Sequence, residues 1–298
     1  MSLANFSSQQ ANLTCGVPQG SNLAPTFFSI YMLPLSQVIS RHHISCHFYA
    51  DDSQLYRRLS TDDSTGLDSL KTCLGEIKEW MSQNQLQLNE TKSEFILFGP
   101  PTSVTQITSS MGSLSALVKP CVRNLGVLFD SDLNFNQQVR AVVQACFFQL
   151  RIIAKIKTFL SPSDLQKVIY MFIFSRLDYC NSLYSGLPDK TIYPLQLVQN
   201  AAARLLSGTR MRDSISPVLA SLHWLRVKQR IKFKTLMFTY KALHGLAPAY
   251  LEELVVQSSS DRDLRSNNQL TLKMPRSNLK TKGDRAFAVM APTLWNSL

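Results

Sequence analysis

The sequence predicts an α+β fold, with antiparallel strands and packed helices in the first part and helices alone in the second. Three observations predict it. Residues 44–49 and 53–56 are two runs of β-forming residues either side of an Asp-Asp turn. Leu67, Leu70, Leu74, Ile77 and Met81 recur at three and four residues, which is one stripe of a helix. From Asn134 onward long segments carry helical start and stop signals, Ser161-Pro162-Ser163-Asp164 and Leu187-Pro188-Asp189 at the starts, Gly208 and Gly245 at the ends.

Charge divides the chain further. The 298 residues carry a net charge of +11. Residues 1–139 hold 8 Lys/Arg against 11 Asp/Glu, residues 140–250 hold 16 against 4, and residues 251–298 hold 7 against 5. A basic block beside an acidic one suits a polyanion held by one part and processed by another. The alternative is a solvated basic helical face. The apolar content of 45% is that of a globular protein. The six cysteines stand far apart without a Cys-x-x-Cys pair, which argues against a zinc site and for reduced thiols inside the cell. No signal peptide and no apolar run of transmembrane length is visible, so an intracellular protein of nucleus or cytoplasm, with no membrane partner, is expected.

In chain order, Asn12 to Val17 reads as a strand ending at Pro18-Gln19-Gly20. Phe27 to about Arg41 reads as a helix, apolar nearly all round and therefore buried, with Pro34 expected to kink or interrupt it. A strand at 44–49, the turn at Asp51-Asp52 and a returning strand at 53–56 follow, and then the striped helix from Ser60-Thr61-Asp62-Asp63. Phe95 to Gly99 reads as a strand, 100–121 as a loop with a weak hairpin, and Val122 to Asp130 as a strand. Helices are expected at Val139–Phe159, from Ser161 to about Tyr179, from Leu187 to Gly208, at Ser216-Pro217 and at Val227–His244. Trp224 and Tyr240 are expected in the core. Residues 256–285 read as a polar, mobile segment with a short strand at Gln269 to Met274.

The chemistry is concentrated in two motifs. Two adjacent carboxylates at a tight turn suit a hard divalent cation, which takes charged oxygens and leaves its other positions to water and phosphate. Upstream lies Gly16-Val17-Pro18-Gln19-Gly20-Ser21, and about thirty residues later Tyr49-Ala50-Asp51-Asp52. This pair of motifs resembles the core of a reverse transcriptase, and most closely the LINE-type non-LTR retrotransposons. Ala24 departs mildly from the glycine common there. The resemblance implies a polymerase palm over residues 1–132, a helical thumb with a basic extension over 133–255 and a polar tail over 256–298. It makes Asp51 and Asp52 catalytic ligands of Mg²⁺ (or Mn²⁺). It places Pro18, Gln19, Gly20 and Tyr49 beside template and incoming nucleotide. Lys92, in an Asn-x-x-Lys run before a strand, would assist the leaving pyrophosphate, with a plain surface lysine as the alternative. Leu125-Gly126 resembles the turn that grips the primer end. The implied partners are an RNA template, a DNA primer and deoxynucleoside triphosphates. The oligomeric state stays open.

In that family a third aspartate bridges the two metal ions from a strand upstream of Gly16, yet residues 1–15 contain no Asp or Glu. The fingers are missing as well. The expectation is a fragment of a polymerase with little or no activity alone, since a lost metal ligand forfeits several kcal/mol, about a thousandfold or more in rate. The alternative is a nucleic-acid-binding remnant that works through the basic helices of 140–250. Leu177-Asp178-Tyr179-Cys180-Asn181 also looks familiar from such reading frames, but no chemistry attaches to it.

Overall fold

The computed structural model describes residues 2–3, 6–7, 20–60, 64–258, 271–277, 279 and 281–298. The chain forms two compact units, Met1–Val118 and Lys119–Leu298. The boundary expected at 132 falls inside the second unit, because the strands at 121–130 fold with the helices after them.

The first unit begins with two-residue strands β1 (Ser2–Leu3) and β2 (Phe6–Ser7), which pair antiparallel. The strand expected at 12–17 lies outside the described residues. Helix α1 (Ala24–Ser40) has Pro25 in its first turn, where a missing N–H costs nothing. Pro34 does not interrupt it. That residue is exposed, so water can take the carbonyl left without its amide. The helix is not buried all round as its composition predicts: Met32, Leu35, Val38 and Ile39 face the core, while Phe27, Ile30 and Leu33 remain 52–60% exposed. Among the described residues, the neighbours of this helix pack on one side of it.

Strands β3 (Ser45–Tyr49) and β4 (Asp52–Tyr56) form a two-stranded antiparallel sheet. Helix α2 (Ser64–Gln83) lays its stripe onto α1, and Leu70, Cys73, Ile77 and Met81 join Leu35 and Ile39 in one core. Each fully buried side chain of this size is worth about 1.5–3 kcal/mol. A short 3₁₀ turn at Glu90–Lys92 leads to Phe95, which pairs with Val118 in an isolated bridge and not in a full strand. The expected loop and hairpin at 100–121 is instead helix α3 (Pro101–Ser110) followed by a 3₁₀ turn at Gly112–Leu117. The hydroxyls of Thr105, Thr108, Ser109 and Ser110 donate to carbonyls four residues back, so residues that look like loop formers satisfy themselves within the helix.

The second unit opens with the hairpin β5 (Cys121–Asn124) and β6 (Val127–Asp130), where one strand was expected. Its main frame is α4 (Asn136–Ile156) beside α7 (Asp189–Ser207). The two helices run parallel: Thr191 of α7 bonds Asn136 near their starts, and Lys157, just past α4, donates to Leu205 near the end of α7. Between them in sequence come α5 (Pro162–Ile169), a π-helical turn at Tyr170–Phe174, and α6 (Ser175–Asp178). Ser161 caps α5 by accepting the Asp164 amide, as its Ser-Pro start predicts. Helices α8 (Ser216–Ser221), α9 (Val227–Leu243), α10 (Ala249–Glu252) and α11 (Phe287–Trp295) complete the unit. Trp224 is in the core, edge-on to Phe174, with its indole N–H on the Tyr170 hydroxyl at 2.8 Å. Tyr240 is not: it is half-exposed and stacks on His244.

The described part of the C-terminal segment does not stand off as a tail. Leu272 bridges Gln257, and α11 packs on α9 with Ala291 and Leu294 buried. Among the described residues no helix is long and apolar enough to cross a membrane, and Cys46, Cys73, Cys121, Cys146 and Cys180 form no disulfide.

Candidate active site

The acidic pair sits where the strand pattern puts it. Tyr49 of β3 faces Asp52 of β4, leaving Ala50 and Asp51 as a two-residue turn. Ala50 takes a φ of +53°, the left-handed conformation that tight hairpin turns favour. Both carboxylates are exposed. Alternation along the strands sends Cys46, Phe48 and Leu55 onto the core. Their neighbours His47, Tyr49 and Tyr56 point to the other face, where Asp52 and Gln54 stand opposite Tyr49 and His47.

That outer face holds an aromatic pair that the sequence reading passed over. His47 and Tyr56 stack with centroids 5.3 Å apart, and the Tyr56 hydroxyl lies 3.1 Å from His47 Nε2. Their positions two residues along each strand from Tyr49 and Gln54 were a signal for a shared face. Tyr49 is 66% exposed beside them.

The hairpin is anchored at its exit. Arg57, immediately after β4, donates to the His42 carbonyl at 2.8 Å and to the Ser69 hydroxyl at 2.7 Å. Ser69 itself donates to the same carbonyl. One guanidinium thus ties the strand leaving the acidic turn to the end of α1 and to α2.

The remaining expected residues are spread over several elements. Pro18 and Gln19 lie outside the described residues. Gly20 precedes α1 with a φ of +90°, and among the described residues nothing stands within 4 Å of where a Cβ would be. A side chain there would meet backbone strain and not a neighbour. Lys92 ends the 3₁₀ turn, exposed, and no carboxylate pairs with it among the described residues; its neighbour Glu90 pairs with Lys78 at 2.9 Å. Leu125 and Gly126 belong to the second unit. They form the two-residue turn of β5–β6, with φ of +44° and +82°, the doubly left-handed turn in which glycine is favoured.

The donor set can be tested against a metal. Mg²⁺ is commonly held by one or two carboxylates, with water and substrate phosphate completing its shell. Asp51 and Asp52, exposed and adjacent, fit that requirement. No cluster of three or more His, Cys, Asp or Glu that could hold a metal on protein ligands alone exists among the described residues.

Residues 2–129 match the family described as reverse transcriptase (RNA-dependent DNA polymerase). The chain is 25% identical over 217 residues to a probable RNA-directed DNA polymerase from transposon X-element of Drosophila melanogaster, covering 67% of this chain and 22% of that protein. It is 23% identical over 229 residues to the RNA-directed DNA polymerase from mobile element jockey of the same organism, covering 72% of this chain and 24% of that protein. The chain therefore spans about a quarter of the length of these relatives. No protein of solved structure matches it. Over residues 2–129, with the Asp51–Asp52 hairpin inside them, the chain is thus similar to reverse transcriptases of mobile elements.

Proposed function

We propose that the chain is part of an RNA-directed DNA polymerase, with Asp51 and Asp52 as the protein ligands of its Mg²⁺ or Mn²⁺. The observation that carries this reading is the exposed pair of carboxylates at the tip of a tight hairpin, inside the matched segment. When bound, the ion would supply charge neutralisation on the triphosphate and orient the attacking 3′ hydroxyl. The protein's own contributions are positional. The Arg57 anchor fixes the hairpin, Tyr49 shares a face with Asp52, and Gly20 lets backbone approach a ligand closely. Pro18 and Gln19 would lie with Gly20 beside template and nucleotide. Lys92, exposed and without an ion pair among the described residues, is suited to the leaving pyrophosphate, and the Leu125-Gly126 turn to the DNA 3′ end. In this reading the first unit, Met1–Val118, acts as palm, and the second, Lys119–Leu298, as thumb with a basic extension. RNA, a DNA primer and deoxynucleoside triphosphates are the substrates, and the setting is intracellular.

Activity of this chain alone is expected to be little or none. Residues 1–50 contain no Asp or Glu, so no third carboxylate comes from that stretch. A second reading, a binding remnant without catalysis, is favoured by the 16 Lys/Arg against 4 Asp/Glu in residues 140–250. Primer extension on RNA with Mg²⁺ or Mn²⁺ tests the first reading, beside an Asp51→Asn/Asp52→Asn double variant. Extension abolished in the double variant supports the ligand role and overturns the expected inactivity. Mn²⁺ binding followed by its magnetic resonance signal provides a readout that needs no turnover: loss of binding in the double variant is expected, and unchanged binding sinks the ligand assignment. Nucleic-acid affinity that falls steeply with salt and survives the double variant supports the second reading.

A further inference from the structure

The segment Leu177-Asp178-Tyr179-Cys180-Asn181 has no assigned role, and the fold brings it to the tip of the β5–β6 hairpin. The Tyr179 hydroxyl donates to the carbonyl of Leu125 at 2.7 Å, across 54 residues of sequence. Its ring closes over the next residue, so that a Cβ on Gly126 would stand 3.7 Å from Tyr179 Cε1. The tyrosine is itself held from both sides. On one side Leu177 is buried, and Asp178 is clamped by Arg230 of α9 through two hydrogen bonds, the Nε one at 2.8 Å. Arg230 in turn lies over the Phe174 ring, 4.7 Å from its centre. On the other side Cys180 turns the chain with a φ of +50°, and Asn181 is buried.

The base of the same hairpin is equally fixed. The Asp130 carboxylate accepts the amides of Asp132, Asn134 and Phe135 at 2.7–3.2 Å. Lys282 donates to the Ser131 carbonyl and Arg285 to that of Leu133. A surface turn with this much support is built to hold one geometry, and Tyr179 provides that support at the tip. A site must be kept within about 0.5 Å of its working geometry by the groups behind it.

We infer that Tyr179 is a positioning residue, which locks the Leu125-Gly126 turn in the conformation that receives a recessed DNA 3′ end. This rests on the reading of that turn as the primer-end contact. The lock and the end contact can fail separately, and the test reads them separately. The full chain and its Tyr179→Phe variant are compared; the variant keeps the ring and loses only the hydroxyl. The first arm measures amide hydrogen exchange at residues 124–127. Loss of one fixed hydrogen bond predicts local exchange faster by about tenfold, with the amides of Leu195 and Val198 in α7 unchanged. Unchanged exchange at the turn overturns the lock. The second arm measures binding of an RNA–DNA hybrid with a recessed DNA 3′ end and of the same hybrid with flush ends. The variant is expected to bind the recessed end about fivefold more weakly and the flush one as before. An equal loss on both hybrids overturns the positioning role. A wild-type chain that does not distinguish the two hybrids overturns the reading of the turn itself, while the exchange arm still decides the lock.

Discussion

The carboxylate of Asp130 accepts the backbone N–H of Phe135 at 2.7 Å, and that bond sets the corner where a strand becomes a helix. Asp130 is 8% exposed, and Phe135 sits at the start of α4 with a φ of +56°. A left-handed phenylalanine costs about 1–2 kcal/mol, which the converging amides offset. Asp130→Ala leaves buried N–H groups without an acceptor and is expected to destabilise the second unit by about 3 kcal/mol. Urea unfolding followed by the fluorescence of Trp224 and Trp295 in a Trp80→Phe background measures it; a loss below about 1 kcal/mol contradicts this account of the corner.

Arg57 makes a second test. Its bonds to His42 and Ser69 both leave one guanidinium nitrogen, Nη1, which the rigid plane behind it holds in place, whereas a lysine ammonium sits on a shorter, flexible stem. Arg57→Lys should cost about 1–2 kcal/mol and raise hydrogen exchange in β4, while the hairpin of the second unit is unaffected. A spread of the effect to residues 121–130 would contradict the division into two units.

Acid should act through Asp164. Its carboxyl is held below the ordinary 3.8 by the Ser161 hydroxyl first and by Lys167 second. The folded value lies below the unfolded one, so the contribution to stability is present above pH 3.8 and is lost as the pH falls through the folded value. Unfolding midpoints of wild type and Asp164→Asn should differ by a constant amount from pH 7 to 5 and converge below pH 3.8. A gap that widens in acid has the wrong sign.

Two thiols are expected to be silent. Burial pushes Cys73 and Cys146 up to about 11, and both are fully buried. At pH 8 about one molecule in a thousand carries the thiolate at either site. Iodoacetamide should label neither until the chain unfolds, whereas Cys180 is exposed and open to reagent. Native-state labelling of Cys146 at the rate of Cys180 would contradict the packing described.

Gly126→Ala should destabilise the β5–β6 turn by about 1 kcal/mol, because an L side chain at a φ of +82° is strained even where there is room for it. Differential scanning calorimetry on the full chain gives the value.

What the sequence discloses follows from how local the cause is. The acidic hairpin is legible because β-formers flank it and its turn is two residues long. The stripe of α2 is legible because Leu70, Ile77 and Met81 repeat within one element. Helix α3 is hidden, since Ser and Thr read as loop unless their bonds to carbonyls one turn back are seen. The burial of α1 is over-read, because composition says that a face is apolar and not whether anything covers it. The packing of α11 on α9 is under-read for the opposite reason: Ala291 and Leu294 follow a polar stretch that conceals them. Tyr179 carries no local signal at all, since its partner Leu125 is distant in sequence.

The π-helical turn at Tyr170–Phe174 bears on how the chain tolerates changes of length. Such a turn is an α-helix that has taken in one extra residue without rotating the faces on either side. Ile169 before it and Leu177 after it are both buried in the same core. Removing one residue from this turn would restore regular winding and leave both neighbours facing inward. The same deletion in the middle of α4 would swing every later side chain by about 100° and turn Ile153 out of the core. Gaps of one residue in related chains should therefore collect at 170–174 and be rare along α4.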